Sequence, residues 1–203
     1  MQDIIEERGI KHLYHFTQAQ NLTSIVNYGL LPKDDLEFCG IAYSNNDSYR
    51  YDECTNAVCT SVEFPNYKMF YSLRKGNPNS EWAVIELDAR ILYEYDCIFC
   101  WTNAGDYTMY SKPIEQRIGR DAFANLFGDC SGYPKRKSLG IPDCYPTNPQ
   151  AEVLVCGTIH PEYIKRIYFE NKTIYDKYID ALPPAITTWR SYIFGPRKDW
   201  AFW

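Results

Sequence analysis

The run Lys11-His12-Leu13-Tyr14-His15-Phe16 reads as a strand, and the rest of the fold is read outward from it. Successive side chains on a strand point to opposite faces, so Tyr14 and Phe16 share one face and His15 takes the other. Thr17 follows and opens a helix with Leu22, Ile25 and Val26 on one side and Gly29 as its stop. Further strand-like runs recur at 57–62, 82–87, 97–101, 151–159 and 166–169. Helices are fewer: one begins around Tyr67 behind Pro65-Asn66, a short one covers 120–127 and another 172–181. The tail 191–194 is expected to close the sheet. Many short strands with occasional helices predict an α+β fold with mixed or antiparallel sheets, not a doubly wound one. Residues 32–57 and 128–149 lack periodicity and read as long loops, which in compact domains are often functional.

The chain has 203 residues, ample for one core, and no repeat or composition break divides it, so 1–203 reads as a single domain. No stretch approaches the roughly 20 apolar residues of a membrane span, and the first residues carry no apolar signal core. With eight cysteines and no export signal, free thiols in a cytoplasmic compartment are expected. A net charge of −5 excludes a protein that coats nucleic acid through a broad basic field. Aromatic content is high at 16 %, with 18 tyrosines and 5 tryptophans, and by itself it names no function.

Metal and phosphate signatures are missing. Cys97-Ile-Phe-Cys100 has CxxC spacing, but its intervening residues are large and apolar and no second pair exists. Cys54, Cys59, His12, His15 and His160 do not complete it, so buried thiols are expected and no metal site. Neither GxGxxG nor GxxxxGK[ST] occurs.

Three separated segments carry more. In Leu13-Tyr14-His15-Phe16-Thr17, a strand-end histidine beside a hydroxyl and a helix start is placed to donate to a ribose hydroxyl. Arg50 lies in a tyrosine-rich polar loop ahead of Thr60-Ser-Val-Glu-Phe64 and Tyr67-Lys-Met-Phe-Tyr71. A helix displaying tyrosines there makes a stacking platform for a flat cationic ring. Gln150-Ala-Glu152 enters an apolar strand, where positions 150 and 152 point the same way and aim an amide and a carboxylate at one site.

In order, these segments resemble the DarT family of DNA-modifying ADP-ribosyltransferase toxins. The matches are Leu13-Tyr-His-Phe-Thr17 with Asn21-Leu-Thr-Ser-Ile-Val-Asn-Tyr-Gly-Leu-Leu31, then Met69-Phe-Tyr71, Trp101-Thr-Asn-Ala104 and Gln150-Ala-Glu-Val-Leu-Val155. The resemblance implies an ADP-ribosyltransferase-like split, mixed β-sheet core with flanking helices, and NAD+ as substrate rather than redox cofactor. It makes Glu152 the catalytic glutamate, Arg50 the active-site arginine, and His15 a holder of the NAD+ ribose. Thr17, Asn21, Tyr67 and Tyr71 join His15 as expected NAD+-binding residues. Thymidine-modifying relatives tend to carry a Phe-Tyr-Phe-x-Pro-Arg-x-Pro-like run. This chain has Val62-Glu-Phe-Pro-Asn-Tyr-Lys-Met-Phe70 there, which leans towards the guanine-modifying ones.

Under this resemblance a carboxylate at Glu152 stabilises the oxocarbenium-like ribose as the nicotinamide bond breaks. The acceptor base must be single-stranded or flipped out to be reached. Single-strand binding needs a local groove, not a basic surface, which reconciles the net charge with a DNA substrate. Lys135, Arg136, Lys137 and Arg166, with Arg197 and Lys198, are candidate phosphate contacts. A separate antitoxin polypeptide that reverses the modification is the implied partner, since the chain holds no second domain to do so. The rival readings are a transferase acting on protein or RNA, and a noncatalytic NAD- or nucleic-acid-binding module.

Overall fold

The strand that carries His15 is β1 (His12–Gln18), an inner strand of a seven-stranded sheet. The computed structural model describes residues 1–44 and 54–203. Before the sheet's second strand come α1 (Gln2–Arg8), α2 (Leu22–Tyr28) and α3 (Lys33–Phe38). Then follow β2 (Ala57–Val62), α4 (Tyr67–Gly76), β3 (Trp82–Asp88), α5 (Ile91–Glu94) and β4 (Cys97–Cys100). The second half holds α6 (Tyr107–Tyr110), α7 (Gly119–Asn125), α8 (Arg136–Leu139) and β5 (Glu152–Cys156). It ends with β6 (Ile164–Phe169), α9 (Lys172–Tyr178) and β7 (Thr187–Trp189). Strand order is β4-β5-β2-β1-β3-β6-β7, and every pairing is antiparallel except β6 with β7. The expected α+β class with a mixed sheet is the one observed. No helix among the described residues is long and apolar enough to cross a membrane.

Alternation along β1 divides the interior in two. Leu13 enters the larger core with Ile85, Leu87, Val153 and Phe169, while Tyr14 enters an aromatic core with Phe64, Phe70, Trp82 and Tyr168. Phe16 stacks on Phe70 at 4.6 Å, and Phe70 is almost fully buried. Truncating a phenylalanine packed in this way costs about 3–5 kcal/mol. Glu86 is buried on the aromatic side and accepts from the hydroxyls of Tyr14 (2.9 Å) and Tyr168 (2.8 Å). Those bonds compensate its burial, and burial together with the carboxylate pushes both phenols up.

Several expectations are corrected. Thr17 does not open a helix: it is a buried residue of β1, which stays in register with β3 from His12↔Asp88 to Gln18↔Trp82. The helix starts instead at Leu22, after a 3-10 turn, and Gly29 ends it as expected with φ +89°. The stretch 32–57 is not all loop, since α3 lies within it. That helix buries no residue and so shows no apolar stripe, and acidic Asp34 and Asp35 in its first turn suit the helix dipole. The run 128–149 likewise contains α8. The strand read over 151–159 ends at Cys156, because Gly157 takes φ +81° and Ile159 leaves to bridge Leu30. Residues 191–194 do not close the sheet: Ser191–Phe194 is a 3-10 turn whose Ile193 and Phe194 fill the aromatic core, and β7 forms the edge.

Candidate active site

The sheet is split beside β1. Only Leu13↔Val62 and Tyr14↔Ser61 pair β1 with β2, whereas β2 continues along β5 from Thr60↔Val153 to Ala57↔Cys156. Beyond Tyr14 the strands part, and a side chain takes over where the ladder stops: His15 Nδ1 donates to the Cys59 carbonyl at 2.8 Å. A carbonyl only accepts, so Nδ1 carries the proton. Burial holds this imidazole below its usual 6.5, against the opposing effect of the Cys59 bond. The ring is therefore neutral near pH 7, and Nε2 is an acceptor. His15, read from the sequence as a donor, thus has its donor nitrogen engaged by Cys59 and offers an acceptor at Nε2.

The parted strands open a cavity of about 190 Å³. His15, Phe16 and Thr17 line it from β1, Ile25 and Leu30 from α2 and its exit, and Glu152 from β5. Thr17 Oγ1 accepts from Asn21 Nδ2 at 2.9 Å. The same Asn21 side chain clamps Ser44 in both directions, donating to its carbonyl (3.1 Å) and accepting from its N–H (2.9 Å). Thr17 and Asn21 thus fix the cavity wall at Ser44. Among the described lining residues Lys33 is the cation and Glu152 the anion.

Glu152 is the first residue of β5 and 5 % exposed. Three donors among the described residues converge on its carboxylate. Oε1 accepts from Asn66 Nδ2 (3.1 Å) and Asn103 Nδ2 (3.0 Å), and Oε2 from the Ala104 N–H (2.8 Å). A buried carboxylate satisfied in this way is locked in one rotamer and aimed. Asn66 is itself fixed twice: its Oδ1 caps α4 by accepting from the Met69 N–H, and its own N–H donates to Ser61 Oγ. The turn that delivers it begins at Glu63, whose φ of +59° is left-handed and whose side chain accepts from the N–H groups of Lys11 and His12. Asn103 also reaches Met69 Sδ at 3.6 Å, so α4 and the 101–106 turn flank the carboxylate.

The structure gathers His15, Thr17, Asn21 and Glu152 around one cavity. Gln150 is not among its lining residues: it sits in the turn before β5, its N–H bound to Asn148 Oδ1. Tyr67 and Tyr71 do not line it either. The cap at Asn66 sets the phase of α4 so that Met69 faces the cavity, Phe70 the core and Tyr71 solvent, 64 % exposed. Tyr67 packs against the aromatic core with its hydroxyl buried. Lys135 and Lys137 are exposed, as are Arg166 on β6 and Lys198. Arg136 is occupied, donating to the carbonyls of Pro142, Asp143 and Tyr145 and to Thr147 Oγ1. Arg197 is no surface contact: it is 3 % exposed, forks onto Asp199 and donates to the carbonyls of Pro146 and Thr147. Arg50 lies outside the described residues. Asn66, Asn103, Ala104 and Met69 were not singled out as site residues from the sequence. The cap signal Pro65-Asn66 and the Trp101-Thr-Asn-Ala104 match were the traces they left.

Residues 14–200 match the family described as "ssDNA thymidine ADP-ribosyltransferase, DarT". No curated protein matches the chain in sequence. The fold is similar to that of Thermosipho africanus DarTG in complex with ADP-ribose, with a TM-score of 0.62 at 16 % identity. That match covers 91 % of this chain and 51 % of the other, so the chain spans about half the length of that relative. Thermus sp. 2.9 DarT in complex with NAD+ gives a TM-score of 0.56 at 14 % identity, covering 91 % and 97 % of the two chains. The same protein in complex with ADP-ribosylated ssDNA gives 0.57 at 14 %, covering 91 % and 96 %.

Proposed function

The chain belongs to the DarT family, and from that membership we propose that it transfers ADP-ribose from NAD+ to a base of single-stranded DNA, releasing nicotinamide. The observation that carries the proposal is the buried carboxylate of Glu152, held by three donors at a cavity that His15 also lines. The cavity's mixed lining, largely apolar with a few placed polar groups, fits a dinucleotide. His15 Nε2 accepts from a ribose hydroxyl, Thr17 and Asn21 shape the wall, and Lys33 faces the diphosphate. Glu152 stabilises the positive charge that develops on the ribose as the nicotinamide bond breaks. It then takes the proton that the attacking base nitrogen gives up. Arg50 belongs to the same proposal as a diphosphate or acceptor contact. Lys135, Lys137 and Arg166 are the exposed cations proposed to meet phosphates.

The acceptor base follows the family description, thymidine. A second reading, guanine, rests on Val62-Glu-Phe-Pro-Asn-Tyr-Lys-Met-Phe70, which departs from the run typical of thymidine-modifying relatives. The proposed role is that of a toxin in the cytoplasm, with a separate antitoxin removing the modification. The test is incubation with labelled NAD+ and, separately, single-stranded oligonucleotides, RNA and cell lysate. Label on DNA supports the proposal, and mass spectrometry of an oligonucleotide with all four bases identifies the acceptor. Label on protein or RNA alone contradicts it.

A further inference from the structure

The short helix α6 displays Tyr107 (70 % exposed) and Tyr110 (41 % exposed), rings 5.5 Å apart and perpendicular. The helix itself is held by other groups. Met109 is buried against Ile98, Cys100, Ala104 and Leu154. Asp106 caps the helix, accepting from the N–H and hydroxyl of Thr108. The turn before it is equally fixed, with Asn103 Oδ1 accepting from the Gly105 N–H at 3.0 Å.

This rigid post is tied to the catalytic carboxylate. Ala104 donates its N–H to Glu152, and Tyr107 follows only three residues later, so the two Cα atoms lie at most about 11 Å apart. The tyrosines face solvent, while the cavity lies between β1 and β2 and Tyr107 and Tyr110 are not among its lining residues. Two exposed rings on the segment that anchors the carboxylate, outside the proposed dinucleotide cavity, have the chemistry of a stacking platform for unpaired bases. Lys112, exposed two residues beyond Tyr110, adds a cation to the same segment for the strand's phosphates.

We propose that Tyr107, supported edge-on by Tyr110, stacks a base of the acceptor single strand next to the one that is modified. The inference rests on the proposed DNA transfer and adds a binding site for the neighbouring nucleotide. Such a platform tolerates any base, because every base has a π-face. It holds the strand in place while the acceptor base reaches Glu152.

The experiment measures, for wild type, Tyr107→Ala, Tyr107→Phe and Tyr110→Ala, anisotropy of a fluorescent single-stranded oligonucleotide and the transfer kinetics. Tyr107→Ala is expected to raise KM for DNA about tenfold with kcat and KM for NAD+ nearly unchanged, as loss of one stacking contact implies. Tyr107→Phe, which keeps the ring, is expected within about twofold of wild type. Tyr110→Ala should fall between them. Equal DNA affinity in Tyr107→Ala and wild type overturns the stacking site while leaving DNA transfer standing. Equal loss of DNA and NAD+ affinity overturns it too, by showing a general disturbance of the fold. Wild-type protein that neither binds nor modifies single-stranded DNA overturns both this inference and the proposed function.

Discussion

Asn103 donates its side-chain N–H to Oε1 of Glu152 at 3.0 Å, across 49 residues of chain, and the same nitrogen lies 3.6 Å from Sδ of the cavity-lining Met69. The carboxylate is thus positioned by loops on both sides of it as well as by its own strand. Preorganised groups of this kind add to catalysis because no reorganisation is needed when charge develops.

Asn103→Ala removes one side-chain donor and leaves those of Asn66 and the Ala104 backbone in place. kcat is expected to fall about tenfold with KM for NAD+ little changed. Steady-state kinetics in both substrates separate these. A rise in KM alone would assign Asn103 to substrate binding instead.

Asn66→Ala takes away a second donor and the cap of α4 together, so it lowers stability as well as activity. The lost cap contributes about 1 kcal/mol. Asn66→Ser restores the cap but not the reach to Glu152, so urea unfolding is expected to recover while kcat does not.

His15 gives stability a pH dependence with a definite sign. Its folded pKa lies below the usual 6.5, because burial disfavours the cation. As pH falls below about 6.5 the unfolded chain takes up a proton that the folded one does not, so stability is lost. Thermal melts from pH 8 to pH 5 should show a steeper decline for wild type than for His15→Gln. Parallel curves would remove His15 from this role.

Gly29→Ala tests the wall between α2 and the sheet. A Cβ there would stand 2.2 Å from the Ile159 carbonyl oxygen, in a backbone at φ +89°. The substitution is expected to destabilise by at least about 2 kcal/mol in denaturant unfolding. An unchanged midpoint would mean that the Leu30–Ile159 bridge yields readily.

Arg197→Met leaves Asp199 buried without its fork, and loss of one partner of a buried pair costs about 3–5 kcal/mol. The double variant Arg197→Met with Asp199→Asn is expected to recover part of that loss in urea unfolding. If it recovers nothing, the contacts to Pro146 and Thr147 carry the stabilisation rather than the ion pair.

The strands were legible because alternation and β-branched runs are local. β2 has the bounds read for it, and β1, β3 and β4 differ by one or two residues at their ends. Helix α3 was hidden because it buries nothing, and a helix without an apolar stripe has no period to read. Glu152 and His15 were visible as polar residues on apolar strands, and both lie on the cavity. Their partners were not, since Asn66 and Glu152 are 86 residues apart and only the fold joins them. Met69 lines the cavity and Tyr71 faces solvent because helix phase depends on where the cap falls, and one residue turns a helix by about 100°. Arg136 and Arg197 read as candidate phosphate contacts because their acceptors are mostly backbone carbonyls, which every sequence offers.

The most direct measurement is transfer of label from NAD+ to a single-stranded oligonucleotide by wild type and by Glu152→Gln, alongside NAD+ affinity and near-UV circular dichroism. Glutamine keeps the shape of the side chain and removes its charge. The expected result is a rate at least about a hundredfold lower with the spectrum and NAD+ affinity preserved, as loss of a charge-stabilising group implies. Transfer by Glu152→Gln at the wild-type rate would contradict the assignment of Glu152 as the catalytic carboxylate.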